Sequence, residues 1–97
     1  MSKFRIEGNT LFAEGDLDTP DIEEFEKTAM SLVEATDGAI VFDFTRVEYM
    51  PSSLLGMLMS LRGRVTAEGR TFRLRPSPMV RQLLTLTGMI SSITLDE

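Results

Sequence analysis

The chain has 97 residues and a net charge of −5, and it contains no cysteine and no histidine. This length suits one domain with one core, so we expect residues 1–97 to form a single domain. The composition excludes disulfides, zinc sites built from histidine or cysteine, and catalysis by a thiolate or an imidazole. The acidic balance argues against nucleic-acid binding.

The N-terminal segment predicts a β-hairpin. Residues 4–6 alternate apolar and polar side chains, Gly8 and Asn9 favour a tight turn, and residues 11–13 follow as a second strand. We expect the next residues, 15–18, to close the hairpin segment.

A helix and a buried strand are predicted next. Thr19 is positioned to cap the helix and Pro20 to occupy its first helical position, and Gly38 is expected to end it. Residues 39–44 are apolar on both faces except at Asp43, which is typical of a central strand covered on both sides.

Residues 45–50 are predicted to be a connection, in which Val47 and Tyr49 point the same way if the chain is extended. An apolar helix is expected to begin near Ser52 or Ser53. It should continue to about residue 67, with much of its surface buried.

The C-terminal part predicts a strand, a helix and a short strand. Residues 71–75 alternate, Ser77 and Pro78 are typical of a helix start, and Gly88 ends that helix. Residues 93–95 are expected to form a short last strand or an extended tail. The order β-β-α-β-α-β-α-β predicts an α/β fold with a mixed, largely parallel sheet packed with helices.

Enzyme motifs are not found in the sequence. Neither a Gly-rich phosphate loop nor a nucleophile elbow is present. Asp16, Asp18 and Asp43 are the only plausible metal cluster, and turn and strand-end roles explain them better. We therefore predict no catalytic residue, no metal and no cofactor.

Two interpretations remain for the serines at the start of the apolar helix. Ser52 or Ser53 either caps the helix, which is worth about 1 kcal/mol, or occupies a helix start that can hold a phosphate. The residues alone leave both open.

Five segments in order resemble the motifs of STAS domains of the bacterial anti-sigma-factor antagonist type. They are residues 15–18 (GDLD), 40–44 (IVFDF), 47–56 (VEYMPSSLLG), 69–74 (GRTFRL) and 78–89. This resemblance implies a cytoplasmic phosphoprotein that acts by partner switching in signal transduction and transcription regulation. Its partners would be an anti-sigma factor that is also a serine kinase, and a PP2C-type phosphatase.

The resemblance implies that Ser52 is the phosphoacceptor, with Ser53 as the less favoured neighbour. It also places the partner-binding surface on a set of seven residues: Asp16, Asp18, Pro51, Ser52, Ser53, Leu54 and Leu55. Pro51 and Leu54 depart from the acid and the glycine of the family motif. They favour an alternative, in which the domain binds a partner without being phosphorylated, as a scaffold or subunit of another signalling or transport complex. No membrane insertion is expected, and the oligomeric state is open.

Overall fold

A five-stranded sheet with strands in sequential order runs through the protein. The computed structural model describes residues 2–96, and within them only the β1–β2 pair is antiparallel. The elements are β1 Phe4–Glu7, β2 Thr10–Asp16, α1 Asp21–Ala35, β3 Ile40–Tyr49, α2 Ser52–Ala67, β4 Phe72–Pro76, α3 Pro78–Leu86, a 3-10 helix Met89–Ser92 and β5 Thr94–Leu95. The predicted fold class and order are confirmed, and the 3-10 helix is an addition.

All three α-helices pack on one face of the sheet. Strands β2 to β5 follow one another across the sheet, and right-handed crossovers between parallel strands then place each helix on the same side. Phe25 of α1 lies at the centre of the core, with its ring centroid 5.6 Å from that of Phe4 and 5.9 Å from those of Phe42 and Phe44. Buried residues of all three helices belong to this one cluster.

The other face of the sheet is open to solvent at its margins. Val41 and Asp43 point to this face and are only 6% and 9% exposed, but neither belongs to the core cluster. On this face Arg75 of β4 contacts Asp43, and the paired residue of β2, Phe12, lies with its ring centre 4.5 Å from the Arg5 guanidinium. As predicted, the side chains on both faces of the first half of β3 are buried. On the open face, however, no helix of the described residues covers them.

Strand β3 is longer than predicted, because residues 45–49 extend the pairing with β2. Two extra residues on β3 shift this register, one between Asp43 and Arg46 and one between Val47 and Tyr49. Such bulges reverse the alternation of side chains. Val47 is consequently buried while Tyr49 is 49% exposed, so the prediction that they point the same way is wrong.

The helix starts follow the predicted caps only in part. Ser77 caps α3 as predicted, since its hydroxyl accepts a hydrogen bond from the Val80 amide at 3.1 Å. The predicted cap at Thr19 is wrong: Pro20 occupies the cap position, and α1 begins at Asp21 without a hydrogen bond from a capping side chain.

Arg70 closes the opposite end of α1. Its guanidinium donates to the Val33 and Gly38 carbonyl oxygens at 2.8 and 2.9 Å, and to the Thr36 hydroxyl at 2.8 Å. The last turn of α1 contains no basic residue of its own, so this arginine satisfies a carbonyl that the helix end leaves unpaired. No helix within residues 2–96 is long and apolar enough to cross a membrane.

Candidate docking surface at the start of α2

The start of α2 presents two exposed serines. Met50, directly after β3, is buried, Pro51 takes an extended conformation with φ −76° and ψ 156°, and Ser52 is the first helical residue. The Pro51 carbonyl oxygen accepts a hydrogen bond from the Leu54 amide at 3.0 Å. Proline before the first helical residue thus fixes the turn that brings Ser52 and Ser53 to the surface.

Neither serine caps the helix. Pro51 occupies the cap position, and no side chain of the described residues accepts a hydrogen bond from the first turn, which also contains no acidic residue. Of the two interpretations left open, a helix cap at Ser52 or Ser53 is therefore wrong. The hydroxyls remain available, and the positive end of the helix dipole has no negative side chain in this turn.

Leu54 and Leu55 do not belong to the exposed surface. They are 0% and 1% exposed, and both side chains are part of the core cluster. Their predicted contact with a partner is therefore wrong, because helical periodicity turns them inward from Ser52 and Ser53. The bulk that replaces the glycine of the family motif at Leu54 fills the core and leaves the surface unobstructed.

The loop after β2 lies beside the strand that leads to Ser52. Asp16 is paired with Tyr49 in the sheet, and the Leu17 amide donates to the Tyr49 carbonyl oxygen at 2.8 Å. Asp16 and Asp18 are exposed, whereas Leu17 is fully buried. The structure therefore places the two predicted acids on the same edge of the sheet as the start of α2.

A lysine that carries no sequence motif, Lys3, holds this loop. The Lys3 ammonium donates to the Asp16 carbonyl oxygen at 2.6 Å and to the Asp21 carboxylate at 2.8 Å, and it lies 3.9 Å from the Asp18 carboxylate. The hydrogen bond to Asp21 raises the pKa of Lys3. The Asp18 amide and then Lys3 lower the pKa of Asp21. Sequence spacing gives no signal for these contacts, since Lys3 is distant in the chain from all three acids.

A match to one protein family extends over nearly the whole chain. A sequence profile described as "Mlab, STAS domain" matches residues 2–94. The chain belongs to the STAS domain family. The predicted resemblance is thereby confirmed.

Solved structures share the fold of this STAS domain. The anti-sigma factor antagonist SpoIIAA in its unphosphorylated form superposes with a TM-score of 0.76 at 21% identity, over 97% of this chain and 88% of that one. The crystal structure of a candidate anti-sigma factor antagonist, TM1081 of Thermotoga maritima, gives 0.79 at 18% identity, over 97% and 84%. No curated protein shows significant sequence similarity to the chain.

Asp43 lies apart from the other two acids of the STAS domain that were considered for a metal. It lines a cleft of about 350 Å³ on the open face, to which neither Asp16 nor Asp18 contributes. Its carboxylate accepts from the Thr45 hydroxyl and amide at 2.6 and 3.0 Å. Within residues 2–96 no group of three or more acidic side chains is placed to hold a metal ion.

Proposed function

We propose that this STAS domain is a phosphorylation-regulated antagonist of an anti-sigma factor. Its unphosphorylated form binds an anti-sigma factor that is also a serine kinase, and so releases a sigma factor to act in transcription. The kinase phosphorylates Ser52 and ends the interaction, and a PP2C-type phosphatase restores the hydroxyl. The docking surface consists of Ser52, Ser53, Pro51 and the exposed acids Asp16 and Asp18.

The observation that carries this proposal is the exposed Ser52 at the first position of α2, where no side chain caps the helix. Its oxygen attacks the γ-phosphorus of ATP, loses its proton and displaces ADP. The resulting phosphate lies next to backbone N–H groups that no side chain of the described residues caps, and the helix dipole favours its charge. The proposed modification therefore needs no rearrangement of the fold.

The phosphate changes the surface more than the fold. It adds roughly −1.5 to −2 charges to an edge that already carries Asp16 and Asp18. A partner that fits the bare serine then meets a bulky dianion at the centre of the contact. The likeness to SpoIIAA, an anti-sigma factor antagonist, supports this assignment.

Incubation with ATP and the cognate serine kinase tests the phosphorylation. We expect the intact mass to rise by one phosphate in the wild type and in Ser53→Ala, and to stay unchanged in Ser52→Ala. Ser53→Ala is the matched control, because Ser53 is the exposed neighbour on the same turn. A phosphate that persists in Ser52→Ala would place the acceptor elsewhere. If the wild type gains no phosphate, the domain binds a partner without being phosphorylated and the proposed switch is wrong.

A phosphomimetic tests the effect on docking. Ser52→Asp is expected to weaken kinase binding at least about tenfold, the change that 1.4 kcal/mol produces, while the circular dichroism spectrum stays native. Glu34→Lys, an exposed position in the last turn of α1, serves as a charge-altered control at the opposite edge of the sheet from the start of α2. Equal affinity of the wild type and Ser52→Asp would refute control by the phosphate charge.

A further inference from the structure

We infer that Lys3 is a positioning residue for the docking surface, because its side chain holds the loop that presents Asp16 and Asp18 beside the start of α2. This inference rests on the proposed function, which supplies the partner that the loop would meet. Lys3 itself need not touch that partner.

The contacts of Lys3 converge on one short segment. Its ammonium binds the main chain of the loop at Asp16 and a side chain at the start of α1, Asp21. The same Asp21 oxygen accepts a hydrogen bond from the Asp18 amide at 2.8 Å. Lys3 and the Asp18 amide thus meet at a single carboxylate oxygen of Asp21. We call the contacts of Lys3 with Asp16 and Asp21, together with the Asp18–Asp21 bond, the clamp; it encloses residues 16–21.

The loop has a second anchor on its other side. The Leu17 amide is bound to the Tyr49 carbonyl oxygen, which belongs to the end of β3 two residues before Pro51. The acids are therefore held between Lys3, directly before β1, on one side and the chain segment leading to Ser52 on the other. Loss of the Lys3 ammonium would leave the Tyr49 anchor and the Asp18–Asp21 bond, but it would free the Asp16 carbonyl oxygen and leave Asp21 without its cation.

The Lys3 contacts serve the shape of the loop more than the stability of the fold. The Lys3 side chain is 38% exposed, and exposed ion pairs contribute little to global stability. The backbone of Lys3 has its own role, since its carbonyl oxygen accepts from the Glu14 amide at 3.1 Å, and a side-chain substitution leaves that bond in place. The Lys3 ammonium orders the loop before a partner binds, and a loop that is already ordered lowers the entropy cost of docking.

Three variants of the full chain separate positioning from charge. Lys3→Met keeps the aliphatic stem and removes the ammonium, and Lys3→Arg restores a cation with several donors. Lys27→Met makes the same change of charge at the only other lysine, which is exposed on α1 and pairs with Glu23.

Amide hydrogen exchange of the free protein is the first measurement. In Lys3→Met we expect the Leu17 and Asp18 amides to exchange about two- to fivefold faster, the range that loss of an exposed ion pair produces, while Phe42 in the core exchanges as in the wild type. Lys3→Arg should recover part of the protection, and Lys27→Met should match the wild type. Unchanged exchange at Leu17 and Asp18 in Lys3→Met would overturn the inference.

Steady-state phosphorylation by the kinase that modifies Ser52 is the second measurement. Lys3→Met should raise KM about two- to fivefold with kcat unchanged, because a loosened loop affects docking and not the transfer step. Faster loop exchange with an unchanged KM would also overturn the inference. A wild type that no kinase phosphorylates would refute the proposed function instead, and hydrogen exchange would then decide the clamp by itself.

Discussion

Asp43 shows how a carboxylate with little exposed surface stays ionised on the open face of a sheet. Burial is the largest single influence on its pKa and acts to raise it. The Thr45 hydroxyl and amide and the Arg75 guanidinium, 3.4 Å away, act in the opposite direction. Together they outweigh burial, so the pKa of Asp43 lies below its usual value of 3.8.

The lowered pKa predicts a loss of stability in acid that depends on Asp43. The unfolded chain takes up this proton at a higher pH than the folded chain, so the stabilisation is complete above the unfolded pKa and is lost as the pH falls through the folded pKa. We expect the urea midpoint of the wild type to fall between roughly pH 5 and pH 2, and to fall less in Asp43→Asn.

Asp37→Asn is the control for this experiment, because Asp37 is exposed and forms no ion pair within residues 2–96. It should follow the wild-type pH dependence. The same dependence in Asp43→Asn would mean that Asp43 contributes nothing to acid stability.

The burial of Leu54 and the contacts of Lys3 could not be predicted from the sequence. A motif position gives the residue type but not the direction of its side chain, so Leu54 was assigned to the surface although it fills the core. The clamp depends on where β1 lies relative to the loop after β2, which is a tertiary relation. By contrast, the start of α2 at Ser52 was predicted correctly, because a proline followed by serines before an apolar run is a local signal of a helix start.

At the scale of elements, α2 combines a buried stripe with an exposed face that contains two glycines. Gly56 and Gly63 are exposed, and a Cβ atom added at either would have no neighbouring atom within 4 Å. Packing within the chain therefore does not require glycine there. Glycine inside a helix costs about 1 kcal/mol relative to alanine, so each of the two glycines makes α2 less stable than an alanine at the same position would.

Gly63→Ala is accordingly expected to raise the free energy of unfolding by about 1 kcal/mol in urea denaturation. Gly69→Ala should do the opposite, since Gly69 ends α2 with φ +77°, a conformation that alanine adopts poorly. Stabilisation by both substitutions, or by neither, would contradict this account of the two positions.

The order of elements was predictable because each helix and strand carries its own periodicity, but several boundaries were not. The extension of β3 to Tyr49 depends on bulges opposite β2, and the sequence from Thr45 to Tyr49 shows no strand signal strong enough to reveal them. Similarly, Thr19 has the chemistry of a cap, yet the carboxylate of Asp21 takes the hydrogen bond that organises the loop.

For the molecule as a whole, one core joins all three helices to the sheet. We expect a single cooperative unfolding transition, in which far-ultraviolet circular dichroism and the fluorescence of Tyr49, the only tyrosine, give the same midpoint and slope in urea. Transitions that separate would show that residues 1–97 do not behave as the single domain predicted from length.

The two edges of the parallel sheet carry different features. The loop after β2 and the start of α2 lie at the carboxyl edge, whereas Arg70 ties the α1–β3 and α2–β4 connections together at the amino edge. Asp37 lies in the α1–β3 connection, between Thr36 and Gly38, which Arg70 holds on either side. Because the chain contains no cysteine, Asp37→Cys would provide a unique thiol for a fluorophore. A dye attached there would report the tumbling of a complex from a rigid position, away from the proposed contact.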